Sequence, residues 1–215
     1  MEHSSTDGSR DTMTVLALLQ AVEGEEKLTQ RGLAARVGSA LGLTNALIKR
    51  CIRKGLIKIG EAPARRYAYY LTPKGLTEKS RLVAEYLSFS LNFFRRARAD
   101  YTDIFTTCRS RGWERVVLVS TGELTEIAIL SAQECDLRPH AIIDATRNID
   151  QFLGVPVVRA LDELADVDAV VITDSLTPQA SFERYSSMIP PERLFAPPHL
   201  HISRDDKKMA KSAVS

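Results

Sequence analysis

The sequence predicts an α/β protein in two parts: a helix-turn-helix with a two-stranded wing, then, past a long helix, a parallel α/β domain. Three observations predict it. The chain's +2 net charge is split between its halves: residues 1–100 hold 17 Lys and Arg against 10 Asp and Glu, a net +7, while residues 101–215 hold 12 against 17, a net −5. Two short helical patterns flank Gly38, and two strand-like runs follow them. Short apolar runs then alternate with helical segments through the acidic half, as in a parallel sheet with helical crossovers.

The composition narrows the class. With 215 residues, 44% of them apolar and 26% charged, the chain can bury one large or two small cores. Three widely spaced cysteines, 51, 108 and 135, exclude a disulfide-dense scaffold and disfavour a cysteine zinc site. No run approaches 18 apolar residues, so no membrane helix is expected. The polar N-terminus lacks a signal-peptide core, and a cytoplasmic location is the expectation.

The first expected domain spans residues 12–71. Residues 14–22 (TVLALLQAV) form an apolar helical stretch. Thr29 suits the N-cap of a helix reaching about Val37, and Gly38 allows the turn. Ser39 suits the cap of a second helix to about Lys54, ended by Gly55. Leu41, Leu47, Ile48, Cys51 and Ile52 are expected in its core face, with Thr44 a polar intruder there. Residues 56–59 (LIKI) and 65–71 (RRYAYYL) read as strands around a Gly-Glu-Ala-Pro-Ala turn, which makes a wing.

Residues 27–66 hold 10 basic residues and 1 acidic one, an excess that suits a polyanion. Subtracting the core face leaves candidate DNA contacts. Ser39, Gly42, Leu43 and Asn45 lie near the start of the second helix, where close approach to base edges is needed. Asn45 suits an adenine edge, Lys49 a guanine or a phosphate, and Leu43 a thymine methyl. Arg50, Arg53, Lys58, Arg65 and Arg66 suit phosphates, which set register and affinity rather than sequence.

Residues 72–112 are expected to be a long helix and linker. Thr72 caps it, Pro73 takes the first position, and it runs to about Arg98, with a joint between domains at 98–112. From Leu76 to Phe94 its apolar residues cover more than one stripe, so it needs a partner. A second subunit is preferred over the chain's own second domain, because operators are commonly two-fold.

The second domain, 113–202, is expected to be Rossmann-like. Strands are read at 115–119, 140–143, 155–158 and 168–172, with a possible edge strand at 193–195. Helices are read at 124–134, 160–165 and 178–188. The first strand–helix turn carries Ser120, Thr121, Gly122 and Glu123. It keeps one of the three glycines of a dinucleotide turn. The helix start offers N–H groups to an anion, although Glu123 opposes one. Asp144, 22 residues after Gly122, has the spacing of an acid on a ribose hydroxyl, and Arg147 suits an extra phosphate. Thr173 ends the fourth strand at the same edge. A sensing domain and a ligand-free scaffold are both open. The polar tail, 203–215, is expected to be disordered.

The run LTQRGLAARVGSALGLTNALIKRCIRKGLIKI, followed by RRYAYYLTPKGLTEKSRL, resembles winged-helix regulators of the MarR type, nearest the group associated with exopolysaccharide clusters. That resemblance implies binding of double-stranded DNA as a homodimer and control of transcription, with surface-sugar genes as the implied targets. The runs VVLVSTGELTEIAIL, AIID, FLGVPVV and DAVVITD resemble the nucleotide-binding domain of PglD-type sugar O-acyltransferases and, more loosely, CoA-binding domains. They imply a nucleotide, nucleotide-sugar or CoA-type ligand of unknown identity. The pairing is similar to that of the Rex redox repressors.

No GxSxG, HExxH or Walker motif occurs, so no enzyme is expected. His199 and His201 form the one paired-histidine feature. The alternative function is an assembly adaptor that binds protein through the winged helix and uses the second domain as a scaffold.

Overall fold

The computed structural model describes residues 3–24, 29–62 and 66–204. The chain divides into two compact units at Leu91 and Asn92.

The N-terminal unit is a winged helix. It comprises α1 (His3–Gly24), α2 (Gln30–Val37), α3 (Leu41–Arg53), β1 (Ile57–Ala62), β2 (Arg66–Leu71) and the start of α4 (Pro73–Ser110). Thr29 caps α2 by accepting a hydrogen bond from the Gly32 amide at 3.1 Å. Gly38, at φ +65°, ends it in the left-handed region. Helix α3 ends at Gly55, φ +70°, where the Gly55 amide reaches Ile52 O and the Leu56 amide reaches Cys51 O, both at 2.9 Å. Those paired bonds satisfy carbonyls that the helix end leaves open. They turn the chain into β1, which pairs antiparallel with β2 from Ile57↔Leu71 to Ala62↔Arg66.

Thr72 fastens α4 to that turn. Its hydroxyl accepts from the Gly75 amide at 3.0 Å and donates to Gly55 O at 2.6 Å. Gly75 lies so close to Leu56 that a Cβ there would stand 2.0 Å from the Leu56 carbonyl oxygen. The core joins Leu18, Leu19, Leu33, Ile48, Cys51, Ile57, Tyr69 and Leu82.

Two expectations about α3 are corrected. Leu41 is 43% exposed rather than in the core, because it opens the helix before the chain has turned inward. Ser39 does not cap the helix; Ala40 holds that position, with no side-chain cap bond. Thr44 does face the core, 1% exposed, and its hydroxyl donates to Ala40 O at 3.1 Å. The buried hydroxyl is therefore satisfied.

The C-terminal unit is a sheet covered on both faces. Its strands are β3 (Val116–Val119), β4 (Ala141–Ile143), β5 (Gln151–Phe152), β6 (Val155–Val158), β7 (Ala169–Ile172) and β8 (Leu194–Phe195). They lie in the order β5-β6-β4-β3-β7-β8, parallel except for the β5–β6 hairpin. Leaving out β5, the order is that of a doubly wound sheet, with its reversal between β3 and β7.

Alternate residues of the buried strands feed two cores. Val116, Leu118, Ile142 and Val171 pack with α5 (Glu123–Glu134) and the end of α4. Val117, Val119, Ile143 and Ile172 pack with Tyr185 of α6 (Pro178–Ser186).

The long helix does not stop at Arg98, and residues 98–110 are not a joint. Ala97, Tyr101, Ile104, Phe105 and Cys108 recur at helical spacing and are all buried in the first of these cores. Burial of that stripe carries the helix past its run of arginines to Ser110. The Tyr101 hydroxyl donates to Ile172 O at 3.3 Å, and Arg98 pairs with Glu134 of α5. The short helix expected at 160–165 is a single 3₁₀ turn, Leu161–Glu163, and β5 has no counterpart in the sequence reading. Residues 205–215, which hold most of the expected tail, lie outside the described residues.

Candidate nucleic-acid interface and sheet edge

Helix α3 has one buried side and one open side. Thr44, Leu47, Ile48 and Cys51 are buried. Opposite them, Gly42, Ala46, Lys49 and Arg53 follow one another at spacings of four, three and four, and all are exposed. Leu43, beside this stripe, is 69% exposed. Small and apolar side chains therefore occupy the first half of the open side and cations the second. Lys54 and, on β1, Lys58 are also exposed.

Three predicted contacts are less free. Ser39 is half-buried. Asn45 is half-buried too, and its Oδ1 is buried with no hydrogen-bond partner among the described residues. Arg50 donates through one nitrogen to both carboxylate oxygens of Asp11 on α1, at 2.8 and 2.9 Å. Hydrogen bonding to Asp11 pushes the Arg50 pKa up. Arg65 lies outside the described residues, and Arg66 opens β2. The sequence reading passed over Arg31 and Lys54, both exposed cations of the same basic stretch; the charge count was the signal for them. Nothing in the sequence marks Asp11 as the partner of Arg50, 39 residues away.

The sheet edge of the C-terminal unit brings together Ser120, Thr121, Gly122, Asp144 and Thr173. The three positions where a dinucleotide turn carries glycine behave differently. Ser120 adopts the tight turn without being glycine, at φ +74°. Gly122 is extended, and nothing lies within 4 Å of where its Cβ would be. Thr125 fills the site of close helix–strand packing. Its hydroxyl donates to Ser120 O at 2.7 Å and stands 3.0 Å from the Thr173 hydroxyl. Thr173 in turn donates to Val119 O at 2.5 Å. Glu123 and Arg147 are exposed.

Asp144 is not available as a ribose acceptor. It is 5% exposed, and its four hydrogen bonds close on its own surroundings. One oxygen accepts from the Thr121 amide at 2.9 Å and the Thr121 hydroxyl at 2.6 Å; the other accepts from the Thr146 amide at 2.8 Å and its hydroxyl at 2.6 Å. Burial alone would raise its pKa, but these donors outweigh burial and hold it at about 2. Asp174 repeats the arrangement. It accepts from the Leu176 and Thr177 amides and from the Thr177 and Ser181 hydroxyls. Its pKa is likewise lowered by those bonds against the opposing effect of burial.

The His199 side chain is 6% exposed, and its Nε2 is buried with no hydrogen-bond partner among the described residues. Its Nδ1 lies 2.7 Å from Asp100, and its ring meets Phe93 and Tyr101 edge-on. His201 is exposed. Among the described residues no group of three or more His, Cys, Asp or Glu is placed to hold a metal, and no helix is long and apolar enough to cross a membrane.

The Asp144 bonds carry a pH signature. The folded protein binds this proton more weakly than the unfolded chain, whose aspartate titrates near 3.8. The bonds therefore add stability above that pH, and the gain fades as pH falls towards about 2. Asp144→Asn is expected to cost the C-terminal unit about 2 kcal/mol at neutral pH. The gap from wild type should narrow steadily below pH 3.8 in denaturant melts; a gap independent of pH would contradict this.

Comparison with known proteins covers mainly the N-terminal unit. Residues 14–58 match the family model described as winged helix-turn-helix DNA-binding. No curated protein sequence matches the chain. Among solved structures, MepR, a transcription regulator of a Staphylococcus aureus multidrug efflux pump, is similar at 21% identity over 38% of this chain and 60% of that one, TM-score 0.34. A MarR family transcriptional regulator from Silicibacter pomeroyi is similar at 21% identity over 36% and 54%, TM-score 0.33. A Listeria innocua protein of unknown function is similar at 24% identity over 33% and 50%, TM-score 0.30. The chain thus spans half to three-fifths of the length of these structures. The matched stretch, residues 14–58, covers the second half of α1, all of α2 and α3, and the first residues of β1.

Proposed function

We propose that the protein is a DNA-binding transcription regulator of the MarR type, and that it binds its operator as a homodimer. The observation that carries this reading is the open side of α3. An exposed stripe on the second helix of a helix-turn-helix is free to enter a major groove, and the cations beside it supply the sequence-independent attraction. Lys58 on β1 extends that attraction to the wing. Replacing Lys49 and Arg53 together by alanine should weaken binding to duplex DNA roughly tenfold and reduce the slope of log affinity against log salt by about 2. A mobility shift unchanged by the substitutions would contradict the assignment.

The dimer rests on α4. Tyr86, Leu87, Phe89 and Leu91, all in the N-terminal unit, are each between 43% and 58% exposed. An apolar surface of that kind marks an interaction site. A second copy suits it, because a two-fold pair of winged helices reads a two-fold operator. Light scattering should give the mass of two chains at micromolar concentration, and Leu87→Glu with Leu91→Glu should give one. A monomeric wild type would contradict the reading.

The C-terminal unit is assigned a small nucleotide-containing metabolite at the turn between β3 and α5. Support comes from the strand order, which puts this turn at the reversal of the sheet, and from the open space at Gly122. Asp144 takes no part. A regulatory ligand must prefer one dimer geometry over another, since equal binding shifts nothing. Gly122→Val has room and should leave the unliganded melting point unchanged. It should also abolish the melting shift given by whichever of NAD, CoA or a UDP-sugar stabilises the wild type. If none of the three does so, the domain is a scaffold.

A further inference from the structure

The geometry points to a recognition helix that reads thymine methyl groups by apolar contact, with little base-edge hydrogen bonding. This rests on the DNA-binding reading above and says what that surface recognises.

In a helix-turn-helix, the N-terminal residues of the second helix meet base edges, and later residues approach the backbone. In α3 the polar side chains that would form bidentate base contacts are missing from the first two turns or drawn away. Gly42, Leu43 and Ala46 are exposed and carry no donor or acceptor in their side chains. Among the described residues of the N-terminal unit, Leu43 is the most exposed large apolar one, at 69%. Leu41, at 43%, is a second exposed apolar side chain, on the other flank of the Gly42 stripe. Asn45 is half-buried and turned off the open stripe. Arg50, on the flank nearest Leu43, is held by Asp11. Exposed cations begin at Lys49 and continue through Arg53 and Lys54, where phosphates are the suitable partners.

An exposed leucine is poorly matched to water and to phosphate. In the major groove, one base offers an apolar partner: thymine, through its C5 methyl. Gly42 points to the same contact. A Cβ there would meet nothing within 4 Å, so no packing inside the protein requires a glycine, while its bareness lets the helix start sit deep and bring Leu43 and Ala46 against the methyl row. The basic surroundings choose duplex DNA as the occupant over a protein groove.

The test uses the full chain and two kinds of duplex. Bound sequences are first selected from random DNA, and the preferred site is then synthesised with thymine or with deoxyuridine, which lacks only the methyl. Wild-type protein should bind the deoxyuridine duplex more weakly, by roughly fourfold for each methyl it buries. Leu43→Ala lies on the surface and should fold normally. It should bind the thymine duplex less tightly and show a smaller thymine-to-deoxyuridine ratio than wild type. Equal wild-type affinity for both duplexes, or a ratio unchanged in Leu43→Ala, would overturn the inference while leaving DNA binding intact. Failure to enrich any duplex would remove the parent reading and this one with it.

Discussion

The burial of one side of α3 is the constraint on which the functional account depends. Thr44, Leu47, Ile48 and Cys51 are locked into the N-terminal core, so the helix cannot rotate to present another face. Its ends are fixed as well. The paired bonds at Gly55 and the Thr72 hydroxyl hold the C-terminal turn against the start of α4. Once rotation and end point are set, the stripe Gly42, Ala46, Lys49 and Arg53 faces out by helical geometry alone. Its chemistry is graded along the helix, apolar first and cationic later. That order suits a helix whose start meets bases and whose end meets backbone.

A different logic governs the C-terminal unit. Its sheet edge has the topology of a ligand site, yet the polar groups there largely bind one another. Thr121 and Thr146 use all four bonds of Asp144; Thr125 and Thr173 tie the turn back to β3. Buried carboxylates are expensive unless fully bonded, and these are fully bonded. Such a network makes the edge rigid. It leaves Gly122 and the adjoining helix start as the open part of the turn, which is why the proposed ligand site is smaller than a dinucleotide fingerprint would suggest.

The winged helix was legible in the sequence because its punctuation is local. Thr29, Gly38, Gly55 and Thr72-Pro73 mark ends that need only neighbouring residues to form, and the structure places helix or strand boundaries at or beside each of them. The parallel strands were legible for a related reason, since doubly buried strands read as short apolar runs. The second half of α4 was misread. Arg95, Arg96 and Arg98 look like a helix end, and the apolar stripe from Ala97 to Cys108 that carries the helix onward needs the sheet beneath it to be recognised. The fate of Asp144 and Arg50 depended on partners 23 and 39 residues away, so their residue types and spacing gave a chemically sound role that tertiary contacts had already taken. β5 is two residues long, too short for any alternation to show.

DNA is proposed to lie on the open side of α3. Covalent labelling of lysine amines in the full chain, read by mass spectrometry with and without duplex DNA, tests it most directly. Strong protection of Lys49, Lys54 and Lys58 is expected, with Lys79, which pairs with Glu23, little changed. Protection that spares Lys49 while appearing elsewhere, or none at a DNA concentration that saturates binding, would contradict it.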